Sequence, residues 1–129
     1  MDNTDYLKHI SDKINTGIIV LNLDFQIVVW NNFLRMHTNK QADDVLGLSI
    51  FSVFPELSQK WFIRKLSSVL QLGTQSFCSW EQRHHLFELP HTQQMTTFSD
   101  VMAQNCTFLP IDNHRGYVTH VCILIEDAI

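Results

Sequence analysis

Gly17-Ile18-Ile19-Val20-Leu21-Asn22-Leu23-Asp24-Phe25-Gln26-Ile27-Val28-Val29-Trp30-Asn31-Asn32 is the stretch on which the fold of this chain turns. Ile18 to Leu23 and Gln26 to Trp30 are β-branched and aromatic runs, and between them Asp24-Phe25 places an acceptor-bearing residue at a turn. They predict a hairpin. Asn31 can cap a short helix running through Thr38, because its side-chain oxygen can accept from free backbone amides of a first turn. Strand passes to helix at Trp30-Asn31.

Upstream, Leu7, Ile10 and Ile14 recur at helical spacing and predict an amphipathic helix from Asp5 to Asn15, closed by Gly17 in the left-handed conformation. A helix alone in water cannot bury that stripe, so it must pack on its own sheet or a partner's. Downstream, Gln41 to Leu46 reads as a helical turn stopped by Gly47, and Ser49 to Phe54 as another stopped by Pro55. Glu56 to Leu72 is the long helical signal, with Phe62, Leu66, Val69 and Leu70 on one stripe and Gly73 as its stop. The periodicity then changes. Gln75 to Gln82, Ala103 to Ile111 and Tyr117 to Glu126 read as strands, Asn113 to Gly116 as a turn, and Pro90 to Asp100 as a long polar loop. This order predicts the α+β class: a five-stranded antiparallel sheet, helices packed on one face, and an N-terminal amphipathic helix.

The composition narrows the function. At 129 residues and 15.1 kDa, with 45% hydrophobic and 17% charged residues, the chain suits one domain with a sizeable core. Nine Lys and Arg against thirteen Asp and Glu leave a charge of -4, which argues against nucleic acid as a partner. The acidic N-terminus is no signal peptide, and no run approaches the roughly 18 apolar residues of a membrane span. Cys78, Cys106 and Cys122 are odd in number and share no CxxC spacing. They indicate neither a disulfide framework nor a zinc site and suit a reducing cytoplasm.

His84, His85 and His91 lie close in sequence, yet adjacent strand residues point to opposite faces, and a metal site is not expected. Glu81, Glu88, Ser67 and Ser68 assemble no catalytic constellation, so no catalytic residue is assigned. A sheet faced by helices leaves a concave apolar space between the long helix and the strands. Phe62, Leu66, Trp80, Cys106, Phe108 and Cys122 are the candidates to line it, or else they fill the core outright.

Taken in order, Gly17 to Asp24, Ile27 to Asn32, Val45-Leu46-Gly47, Phe54-Pro55-Glu56 and the closing Glu126-Asp127-Ala128-Ile129 resemble a PAS sensor domain. Residues 17–129 would form that domain and residues 1–16 its N-terminal helix, with the output domain absent from this chain. Glu81 to Phe87 and Met102 to Pro110 are similar to PAS domains that precede GGDEF diguanylate cyclase domains in bacterial signalling proteins. The resemblance implies a homodimer paired through Leu7, Ile10 and Ile14 and the outer sheet face. It also implies an unknown small molecule in the apolar pocket, and signal exit at Trp30, Asn31 and Asp127 into a C-terminal output domain. A histidine kinase output, or a pure interaction module without ligand, is the alternative. One departure stands out: after Asp127, Ala128 and Ile129 replace the family's usual Ile-Thr. Haem-binding members commonly place the axial histidine on the long helix or the short helices before it, and Ser49 to Leu72 holds none, which disfavours haem. Cys106, on a strand and followed by Thr107, does not match the photoactive cysteine of flavin-binding LOV domains.

Overall fold

The first helix begins where Asp2 accepts from the backbone amide of Asp5 (3.0 Å) while the Asp5 carboxylate accepts from the Asp2 amide. This reciprocal cap saturates two free donors. A computed structural model describes residues 2–90 and 101–128. Helix α1 spans Asn3–Lys13 and ends on an extended Ile14, earlier than its pattern predicted. Strands β1 (Gly17–Asn22) and β2 (Ile27–Trp30) form the expected hairpin. Its turn is organised by Asn22, whose Oδ1 accepts from the amides of Asp24 and Gln26, both at 3.0 Å. Phe25 takes the left-handed conformation there, with φ 63°.

Three short helices follow: α2 (Asn32–Thr38), α3 (Ala42–Val45) and α4 (Ile50–Val53). The long helix α5 (Gln59–Leu72) starts three residues later than expected, because residues 55–57 form a turn after Phe54. It ends on Gly73 at φ 65°. Strands β3 (Ser76–Cys78), β4 (Gln104–Asp112) and β5 (Val118–Asp127) complete an open antiparallel sheet of order β2-β1-β5-β4-β3. The expectation of a five-stranded α+β fold is met.

Alternation along the strands sends Ile19, Leu21, Cys106, Phe108, Val121, Ile123 and Ile125 to the helix-covered face, where all are buried. Gly17 is not the stop of α1. It opens β1 against α2, and a Cβ there would meet Phe33 at 3.0 Å, Leu34 at 3.2 Å and Ile125 at 3.3 Å. Close approach of strand and helix is what requires glycine.

The strand expected from Gln75 to Gln82 is only three residues long. Beyond it, the chain turns and runs irregularly along the start of β4, held by Gln104. This buried amide accepts from Leu86 N and Phe87 N at 3.2 Å each and donates to Phe87 O at 2.7 Å. The backbone amides of Met102 and Gln104 donate to Leu89 O and His84 O. Side-chain bonds supplement these isolated backbone bonds, so the segment stays in place without a continuous ladder. The loop expected from Pro90 to Asp100 lies, apart from Pro90, outside the described residues.

Substituting Gly17→Val is expected to destabilise the fold by about 1–3 kcal/mol, the usual cost of overpacking a filled site. Urea unfolding of the two proteins measures it, and an unchanged midpoint would contradict the close-packed role of this glycine.

Candidate functional site

Four of the six candidate pocket residues converge. Phe62 and Leu66 descend from α5, Cys106 and Phe108 rise from β4, and none is more than 1% exposed. The Phe62 ring lies edge-on to Phe51 (5.7 Å), Phe108 (6.2 Å) and Phe87 (6.4 Å). Phe87 in turn reaches Phe54 at 4.8 Å, and Phe54 reaches Trp30 at 5.9 Å. Such tilted and edge contacts pack aromatic rings favourably. These side chains fill the space between α5 and the sheet.

Trp80 and Cys122 lie elsewhere. Trp80 sits in the turn after β3 and is 41% exposed, since β3 ends before reaching it. Cys122 alternates with the buried Val121 and Ile123 and therefore points to the outer sheet face, half-buried beside Val20 and Leu109. Phe87 is not among the expected pocket residues, because its neighbours follow neither a two-residue nor a helical period. Only the apolar pair Leu86-Phe87 amid polar residues marked it.

The other marked residues, Trp30 and Asn31, join α1 to the core. Trp30 is buried and its Nε1 donates to Lys40 O at 3.0 Å. Asn31, 3% exposed, accepts from Ile18 N through Oδ1 (2.9 Å) and donates through Nδ2 to Ser11 O (2.7 Å) and Thr16 O (2.8 Å). It sits at the N-cap position of α2 but does not cap it, because its side chain is fully engaged with α1 and β1. The free amide of Asn32 is instead met by Asp12 Oδ1, from α1, at 3.2 Å. Asp127 ends β5 opposite Gln104.

Along this junction runs a groove of about 590 Å³. Its apolar walls are Leu7, Val28, Val29, Trp30, Ala42 and Leu46, and Lys8, Asp12 and Arg35 stand among them. A second, polar cleft of about 200 Å³ lies between the start of α5 and residues 83–88. The Arg83 guanidinium stacks 4.5 Å over Trp61 there. Desolvation, aided by the Glu88 charge, pushes the Glu56 carboxyl up, and desolvation with neighbouring His84 pulls His85 down. His84 and His85 meet through their Nδ1 atoms at 2.9 Å, while His91 lies outside the described residues. Among the described residues, no three His, Cys, Asp or Glu side chains converge as metal ligands.

Asn31→Ala removes one acceptor and two donors from buried or half-buried backbone groups and is expected to destabilise by about 2–3 kcal/mol. It should also expose residues 13–16 to proteolysis at concentrations that leave the parent chain intact. Equal unfolding midpoints and equal cleavage would remove Asn31 from this role.

Comparison with known proteins places this geometry. No family model and no curated protein matches the sequence. Among solved structures, a sensory box sensor histidine kinase from Vibrio cholerae is similar at 28% identity, with 98% of this chain and 92% of that one covered and a TM-score of 0.71. The PAS domain of a protein from Colwellia psychrerythraea aligns over 98% of this chain and 97% of its own with a TM-score of 0.72, at 11% identity. The PAS domain of a nitrogen regulation protein from Vibrio parahaemolyticus aligns over 94% and 96% with a TM-score of 0.66, at 14% identity. With five antiparallel strands in the order β2-β1-β5-β4-β3 and its helices on one face, this chain has the PAS fold.

Proposed function

We propose that the chain is the sensory and dimerisation domain of a cytoplasmic signalling protein, acting on an output domain C-terminal to it in the same polypeptide. One observation carries this reading. The apolar stripe of α1 is left uncovered by its own fold, with Leu7 66%, Ile10 56% and Ile14 38% exposed. Tyr6 adds to it, and α1 holds no buried residue at all. Single exposed apolar residues need no explanation, but a helical stripe continuous with an apolar groove does. The outer sheet face extends the surface through Ile18, Val20, Leu109, Cys122 and Leu124, all half-buried. A second copy, pairing symmetrically across α1, is the occupant this reading assigns.

Signal leaves through the junction of Trp30 and Asn31 with α1, and through Asp127 at the end of β5. The likeness of Glu81 to Phe87 and Met102 to Pro110 to PAS domains preceding GGDEF domains favours a diguanylate cyclase as output. The similarity to the Vibrio cholerae sensor histidine kinase favours a kinase as the second reading. In either, a small molecule enters the core by displacing Phe87, which rides on an irregular segment rather than on a strand or helix. The chain itself supplies no catalytic group.

Light scattering at roughly tens of micromolar, where modest interfaces are populated, should give about twice the 15.1 kDa chain mass. Ile10→Asp should return it to the monomer with its circular dichroism spectrum unchanged, since Ile10 is exposed in the single chain, and the melting temperature should fall only by the stability that pairing adds. A monomeric parent chain, or a dimer indifferent to that substitution, would overturn the dimerisation reading. Joined to its natural downstream segment, the domain should alter either cyclic dinucleotide synthesis from GTP or autophosphorylation from ATP, and the active assay names the output.

A further inference from the structure

Twenty-seven residues separate Cys78 from Cys106 in the sequence, and nothing in that spacing suggests a relation. The sheet register creates one. Cys78 in β3 pairs directly with Cys106 in β4, both side chains face the core, and both are free thiols, at 4% and 1% exposure. We propose that Cys78 and Cys106 form a peroxide-oxidisable dithiol that closes to a cross-strand disulfide.

Directly opposed residues of an antiparallel pair lie about 4.5–5.5 Å apart at Cα, inside the roughly 4.4–6.8 Å that disulfides span. Their Cβ atoms start about 4.5–5.5 Å apart, whereas a disulfide holds them at about 3.5–4.5 Å. An approach of about 1 Å therefore suffices. Strand β3 can supply it, being a three-residue edge strand bonded on one side only. Short edge elements also open locally at low cost, which gives an oxidant its access.

The two thiols are not equivalent. Burial pushes both up, Cys106 most strongly, so the closed structure keeps them protonated and slow to react. Cys78 is the last residue of its strand, and the charges of Lys65 and Arg83 favour its thiolate against that burial. Cys78 is thus the first to react when β3 opens. Hydrogen peroxide is the oxidant: an S–O bond forms at Cys78, the O–O bond breaks, and the departing oxygen leaves as water with the thiol proton. Cys106 sulfur then attacks the sulfenic sulfur, the S–S bond forms, the S–O bond breaks, and a second water leaves with the Cys106 proton. Two thiols lose two electrons in total, and one peroxide becomes two waters.

The link would fasten β3 to β4 until it is reduced. Lys65 of α5 already donates to Phe77 O at 3.1 Å, so a fixed β3 also restrains the long helix. Cys122, alone on the opposite face, takes no part.

The test uses the whole chain, treated with hydrogen peroxide, alkylated under denaturing conditions and weighed intact. Expected is the loss of two hydrogens, one alkylated thiol at Cys122, and a non-reduced peptide joining Cys78 to Cys106 that dithiothreitol separates. Cys122→Ser should leave the link intact. In Cys106→Ser, Cys78 should stop at a sulfenic acid that dimedone captures. Three alkylated thiols after peroxide, a link through Cys122, or dimedone capture at Cys106 in preference to Cys78 would each overturn the proposal.

Discussion

The buried amide of Asn31 is the constraint on which the arrangement of the N-terminal half depends. One side chain ties the end of α1, the link after it, the start of β1 and the start of α2, through three hydrogen bonds between 2.7 and 2.9 Å. Each group it satisfies would otherwise be a partly buried backbone donor or acceptor without a partner, at up to about 1–3 kcal/mol apiece. No apolar residue could take this position. Its shape would fit, but the Ile18 amide and the carbonyls of Ser11 and Thr16 would lose their partner together. Because the amide is committed there, capping of α2 passes to Asp12 on a different helix. The two side chains therefore make one junction, and α1 is held to the core almost entirely by polar bonds.

What could be read from the sequence was whatever repeats with a fixed period. The β1–β2 hairpin, the stripe of α5 and the long β4–β5 pair follow periods of two or 3.6, so their existence was plain and only their ends moved. Helix α5 began late because Pro55 is followed by a turn that propensity does not see. The segment after Cys78 has the composition of a strand but not its geometry, for a different reason. Its backbone is held in part by Gln104, a residue far along the chain, and side-chain bonds that supplement a broken ladder leave no local pattern. The same holds for Asn31. Its type and place suggested a helix cap, and only the packing of three elements around it revealed the other use.

The candidate site divides along the same line. Phe62, Leu66, Cys106 and Phe108 meet because alternation and helical spacing assign them to facing surfaces. Trp80 was misplaced by the overlong strand. Cys122 was misplaced by parity alone, since one step along a strand exchanges the two faces. Phe87, which closes the aromatic cluster, carried no periodic signal. A cavity drawn from the sequence was thus too large by the volume of a ring that arrives from an irregular segment.

Filling the interior and leaving α1 uncovered have linked consequences. Tilted rings in van der Waals contact resist gradual deformation, so displacing Phe87 would move Phe54 and Phe62 together. Phe54 touches Trp30, and Trp30 immediately precedes Asn31. A change in the core thus has a short packed route to the residue that holds α1. The helix at the end of that route holds no fully buried residue, so only a small hydrophobic penalty opposes its re-orientation within the single chain. A few hydrogen bonds set its position, and a differential of a few kcal/mol is the scale on which a ligand or a covalent change can shift two populations. Had Leu7, Ile10 and Ile14 been packed on the sheet, the same shift would have to overcome about 1.5–3 kcal/mol for each side chain exposed. On the proposed sensory reading, a weakly held, apolar-faced helix would let a rigid core pass a small free-energy difference to a second copy covering that face.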